Sequence, residues 1–107
     1  MRTFKKSLYW IFASGILLSL ILQVSGCSGF YDGEKLFFRV GCSQCHTFEG
    51  RGGRMGPDLS AVTNIRSDDW IYNYLQDPRK INPRARMPSF AQLSGAKRKA
   101  IIKFLKE

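Results

Sequence analysis

Cys42-Ser43-Gln44-Cys45-His46 decides how the rest of this chain is read. C-x-x-C-H is the attachment signature of a c-type haem. If the stretch is helical, positions i, i+3 and i+4 share a face, so both thiols and the imidazole point the same way. Two such sulfurs can add across the vinyl groups on one haem edge. The imidazole of the following residue can then take an axial position on the iron. His46 is the only histidine in the sequence, so no other imidazole competes for that role. A thioredoxin-type dithiol needs a βαβ context, and none is visible around residue 42. A structural zinc needs four ligands, and the sequence offers no second Cys/His pair to complete the set.

Upstream of this stretch, residues 1–26 read as an export signal. Arg2, Lys5 and Lys6 form a basic region ahead of an apolar run from Leu8 to Leu22. Those 15 residues reach about 22 Å as a helix, against a hydrocarbon core of about 30 Å. Spanning a bilayer would require flanking residues and local thinning. Val24-Ser25-Gly26-Cys27 resembles the lipobox of bacterial lipoproteins, with Val24 where leucine is commoner. That resemblance implies a lipidated Cys27 at the mature N-terminus and a lipid anchor in a bacterial membrane, on its periplasmic or outer face. The alternative is a free thiol after an uncleaved anchor. Lipidation accounts for the odd cysteine count: two thiols for haem, one for lipid, none left to pair. Residues 27–32 serve as a short membrane-proximal spacer, and 33–107 form one domain without internal repeats. A domain this small needs a staple, metal or cofactor, and a haem would supply much of its core.

Helical segments are expected on both sides of the motif. Gly33 to Val40 carries an apolar stripe at Leu36, Phe37 and Val40. Glycine at position 33 costs helix stability, which a close backbone approach would explain. Ser67 caps a middle helix, with Asp68 and Asp69 in its first turn and Trp70, Ile71, Tyr74 and Leu75 as a buried stripe. Pro78 ends that helix, and residues 77–91 show no periodicity. Ser94 caps a last helix with Ala100, Ile101, Phe104 and Leu105 on one face.

The pattern Gly33-x-x-Leu36-Phe37-x-x-x-Gly41-Cys42-x-x-Cys45-His46-Thr47 resembles the start of small bacterial class I cytochromes c. Gly56-Pro57-Asp58-Leu59, Met87-Pro88 and Phe104-Leu105 match later segments of that family in order, so the resemblance covers nearly all of residues 33–107. It implies a small all-α fold, three to four helices wrapped around one covalently attached haem. It also implies that the first helix crosses the last at glycine and aromatic contacts, and that the Pro57 carbonyl accepts the Nδ1–H of His46. The cofactor would be one haem c with its iron, bound by Cys42, Cys45, His46 and Met87. Its function would be single-electron transport in a respiratory or related chain, without enzymatic activity.

Two methionines follow the export segment. Met55 lies inside the glycine-rich loop on the proximal side, where ordinary core filling is expected of it. Met87 lies beyond a whole helix, far enough for the chain to cross to the distal face as the sixth ligand. A labile Met87 would instead suit a haem sensor or a peroxidase-like protein. A haem subunit of a larger oxidase or dehydrogenase is the other alternative.

Charge bears on partners. The chain carries a formal +9, of which the part beyond residue 26 holds +6. Two ionised propionates would reduce this to about +4. An exported, membrane-tethered protein seldom meets nucleic acid, so the positive charge points elsewhere. Arg79, Lys80, Arg84 and Arg86 bracket the distal loop and could steer an acidic redox partner. Lys97, Arg98 and Lys99, in the first turn of the last helix, read as a solvated run; contact with anionic headgroups is a further reading of the basic surface. Arg66 could pair with a propionate or stay solvated.

Overall fold

A computed structural model describes residues 30–107. The export segment, Cys27 and the beginning of the spacer lie outside the described residues, and no helix among the described residues is long and apolar enough to cross a membrane.

Helix α1 (Gly33–Arg39) starts where the Asp32 side chain accepts the Lys35 N–H at 3.0 Å. This satisfies one of the orphan donors of the first turn. Phe37 is fully buried and Leu36 and Val40 half-buried, so the expected stripe faces inward. Gly41, at φ +91°, turns the chain in a left-handed step into the single-turn helix α2 (Cys42–Cys45). A hairpin of β1 (Thr47–Phe48) and β2 (Arg51–Gly52) follows, with Thr47 opposite Gly52 and Phe48 opposite Arg51. Its turn residues Glu49 and Gly50 both have positive φ, the conformation of a tight two-residue turn.

Beyond the hairpin come α3 (Val62–Ile65), α4 (Asp68–Gln76), α5 (Pro78–Ile81) and α6 (Gly95–Phe104). Ser67 and Ser94 cap α4 and α6 as expected, accepting the N–H groups of Trp70 and Lys97. Pro78 does more than end a helix. Asp77 closes α4 and also accepts the Lys80 N–H, so Pro78 becomes the first residue of α5, where its missing N–H costs nothing. The fold is small and mostly helical, as expected, with six helices among the described residues. Three of these, α2, α3 and α5, are single turns too short to show periodicity.

Two apolar clusters organise this unit, Tyr31–Glu107. In one, Phe37, Cys42, Phe48, Ile101 and Leu105 pack with Leu59 and Phe104 at the crossing of α1 and α6. The Phe104 ring lies 5.6 Å from that of Phe37 and 4.8 Å from that of Phe48. Gly33 permits the crossing: a Cβ there would run into the Ala100 carbonyl oxygen. In the other cluster, Ile71, Leu75, Phe90 and Ile102 pack with Met87 and Leu93. Ile101 and Ile102, adjacent on α6, thus serve different clusters. Trp70 and Tyr74 depart from expectation: only half-buried, they stack on each other at 4.7 Å. Ile71 and Leu75 carry the buried face of α4 alone.

Candidate haem-binding site

The motif forms one tight turn. The His46 N–H donates to the Cys42 carbonyl at 2.9 Å, which keeps His46 on the turn while its backbone leaves in an extended conformation. Cys42 and Cys45 are both free thiols. Burial pushes the Cys42 thiol up to about 11, because low-dielectric surroundings disfavour the thiolate.

His46 is 8% exposed, and its Nδ1 lies 2.7 Å from the Pro57 carbonyl oxygen. A carbonyl only accepts, so Nδ1 must carry the proton and Nε2 keeps its lone pair for a metal. Bonds from Gly53 N–H to the Ser43 carbonyl (2.8 Å), Gly56 N–H to the Cys45 carbonyl (2.7 Å) and Leu59 N–H to the Thr47 carbonyl (2.9 Å) strap the loop over the motif turn. Gly56 lies close against the imidazole, since a Cβ at this position would sit 2.5 Å from His46 Cε1. The glycine-rich stretch is therefore the wall that orients the imidazole.

The two methionines separate clearly. Met55 is 84% exposed, so the core-filling expectation for it is wrong. It sits on the outside of the loop between Gly53 and Gly56, where the backbone, not the side chain, faces the motif turn. Met87 is half-buried against the second cluster, between the buried residues Ala85 and Phe90.

The basic residues divide as well. Arg66 stacks over Trp70 at 4.4 Å. Arg84 and Arg86 are exposed, while the Arg79 Nε donates to the Ala85 carbonyl at 3.5 Å. Arg98 corrects the solvated reading of its run, being 6% exposed and hydrogen-bonded on both terminal nitrogens. A signal for this was available. Residues 98, 101, 102 and 105 fall on one helical face, and all four are buried.

A family model described as "Cytochrome C oxidase, mono-heme subunit/FixO" matches residues 48–103. The chain is 32% identical to the cytochrome c of Ulva intestinalis over 97 residues, which cover 70% of this chain and 86% of that one. It is 29% identical to the cytochrome c of Arabidopsis thaliana over 110 residues, 80% of this chain and 97% of that one. The chain belongs to this family of mono-haem cytochromes c. The family match begins after His46, so it draws on the loop and on α3 to α6 independently of the pentapeptide.

The cofactor of this cytochrome is one c-type haem with its iron, and its activity is electron transfer. The residues present suit that group: two unpaired thiols on one turn, and an imidazole whose outer nitrogen is committed to a carbonyl.

Proposed function

We propose that this cytochrome is a single-electron carrier in which Cys42 and Cys45 hold the haem covalently while His46 and Met87 ligate the iron. The observation that carries this reading is the bond from His46 Nδ1 to the Pro57 carbonyl. Such a bond fixes the tautomer and raises the basicity of a metal-bound imidazole. Bound haem supplies a one-electron couple, which a thioether ligand shifts toward a higher potential than a second histidine would. His46 and Met87 would both hold the iron and leave no ligand position for substrate, so the protein would carry electrons without catalysing a reaction. His46 is shielded from water by its burial, and the close approach of the Gly56 backbone limits the tilt of its ring.

The family description names an oxidase subunit, which favours work beside a respiratory oxidase. Arg79, Lys80, Arg84 and Arg86 precede Met87, and their charge suits an acidic docking surface. The N-terminal sequence supports export to the cell envelope and a lipid anchor at Cys27.

Substitution of the two methionines tests the ligand set. Met87→Ala is expected to abolish the thioether-to-iron charge-transfer band, lower the potential and admit carbon monoxide to the reduced protein. Met55→Ala is expected to do none of these. The reverse pattern would overturn the assignment. Prompt carbon monoxide binding by the unsubstituted protein would favour a sensor or peroxidase-like role instead.

A further inference from the structure

Arg98 is a buried cation that forms no ion pair with a carboxylate among the described residues. Its Nη1 donates to the carbonyls of Leu93 (2.6 Å), Phe90 (3.3 Å) and Ala91 (3.4 Å). Its Nη2 donates to the Tyr72 hydroxyl (3.0 Å) and the Gln76 side-chain carbonyl (3.4 Å). The guanidinium also lies 4.6 Å from the centre of the Tyr72 ring. Burying a guanidinium without a counter-charge is costly, and Arg98 Nε is left without a partner. A stripe built only for packing would carry an apolar residue at position 98, as it does at 101, 102 and 105.

The five acceptors explain what is gained. Three of them are consecutive or near-consecutive carbonyls of the irregular segment that follows Met87-Pro88. The other two belong to successive turns of α4. Independent bonds point the same way: Phe90 N–H donates to the Leu75 carbonyl at 2.8 Å, and Ser89 Oγ to the Gln76 carbonyl at 2.6 Å. One planar fork on α6 thus ties the outgoing leg of the Met87 loop to α4. On the incoming leg, Arg79 makes a single longer bond, to the Ala85 carbonyl.

We propose that Arg98 is the positioning residue of the distal ligand: by clamping residues 90–93 to α4 and α6 it holds the Met87 sulfur at the iron. The clamp rests on the assignment of Met87 as that ligand. A planar, multiply donating cation suits this task because it bonds several carbonyls at once, which the compact ammonium of lysine does not.

The test uses the haem-loaded full chain and four variants: Arg98→Met, Arg98→Lys, Tyr72→Phe and Met87→Ala. Three quantities are read from each: the charge-transfer band, the rate of carbon monoxide binding to reduced protein, and the helical melt. Charged hydrogen bonds of this kind are each worth enough that losing the clamp opens the loop about tenfold or more. Arg98→Met is therefore expected to weaken the band and speed carbon monoxide binding at least tenfold at temperatures where the helices remain folded. Arg98→Lys should fall between Arg98→Met and the unsubstituted protein. Tyr72→Phe removes one acceptor and keeps the core, so a smaller change of the same sign is expected even if Arg98→Met fails to fold. A lowered melt with the band and the rate unchanged would make Arg98 merely structural and overturn the proposal. If Met87→Ala keeps the band, the ligand assignment fails and the clamp with it. If Met87→Ala loses the band while Arg98→Met and Tyr72→Phe keep it, the clamp alone fails.

Discussion

Gly33→Ala should destabilise the protein although it replaces glycine with the best helix former. Two effects oppose each other. In a helix interior, alanine is worth about 1 kcal/mol more than glycine, and less at the first helical position, where Gly33 stands. Against this, the new methyl would meet the Ala100 carbonyl oxygen and come within 2.8 Å of Phe104 Cβ. Neither neighbour can rotate away, because one is helix backbone and the other is the root of a side chain wedged between Phe37 and Phe48. The helices must separate, and overpacking of this kind costs about 1–3 kcal/mol. The steric effect wins by about 1–2 kcal/mol, which in a domain of this size lowers Tm by roughly 5–15 °C. Thermal melts of the haem-loaded protein, followed in the far ultraviolet and in the aromatic region, measure this. Gly50→Ala is the control: it is the same replacement with nothing within 4 Å, but at φ +76°. It should cost about 1 kcal/mol through the backbone alone and leave the aromatic signal of the cluster intact. A Gly33→Ala protein melting at or above the unsubstituted one would show slack at the crossing and refute the reasoning.

Gly56→Ala should push the imidazole of His46 out of line with the Pro57 carbonyl, lowering Tm by several degrees and altering the visible spectrum. An unchanged spectrum would mean that the wall yields rather than the ring. Cys42→Ala combined with Cys45→Ala should leave the chain without cooperative helical structure, as circular dichroism would show; an undiminished melt would deny the haem its place in the core. Cys27→Ala should block lipid attachment, and mass spectrometry of the mature N-terminus of the unsubstituted protein should find a lipid mass on Cys27. The Lys35 backbone N–H, followed by its side chain, holds the Asp32 carboxyl below its ordinary 3.8. The cap it forms therefore contributes fully above that value and is lost as the pH falls through the lowered pKa. Asp32→Ala should remove this acid-dependent component from the plot of Tm against pH, and an identical acid limb in the two proteins would contradict it.

What could be read from the sequence divides along physical lines. The Ser67 and Ser94 caps were legible because they are local: each serine sits three residues before the N–H group it accepts. The bond from His46 to Pro57 was anticipated because the family resemblance carries it across only 11 residues. The hairpin was not legible, since its strands are two residues each and one of its two turn residues is the non-glycine Glu49 at φ 48°. The helices α3 and α5 are single turns, below the length at which periodicity can be seen. Arg98 was misread because two flanking lysines made its neighbourhood look like a solvated run. Its partners, Tyr72 and Gln76, are 26 and 22 residues away, so local pattern gives no hint of them.

The same division separates the two sides of the proposed haem site. Every strap on the proximal side closes a short loop: Ser43 to Gly53, Cys45 to Gly56, His46 to Pro57 and Thr47 to Leu59. The distal side instead relies on α4 and α6 meeting across the Met87 loop, where the clamp's two contacts to α4, at Tyr72 and Gln76, span 26 and 22 residues. Loop-closure entropy grows with such separations, and sub-global opening begins where few short-range bonds resist it. The motif turn, fastened locally and, under the proposed attachment, by two thioethers, should therefore persist when α4 and α6 begin to part. It follows that the Met87 side should open before the His46 side under mild denaturant. Carbon monoxide binding measured against urea concentration would reveal this as a rise well below the midpoint of helix loss. A rate that rises only with the global transition would mean that both sides stand or fall together.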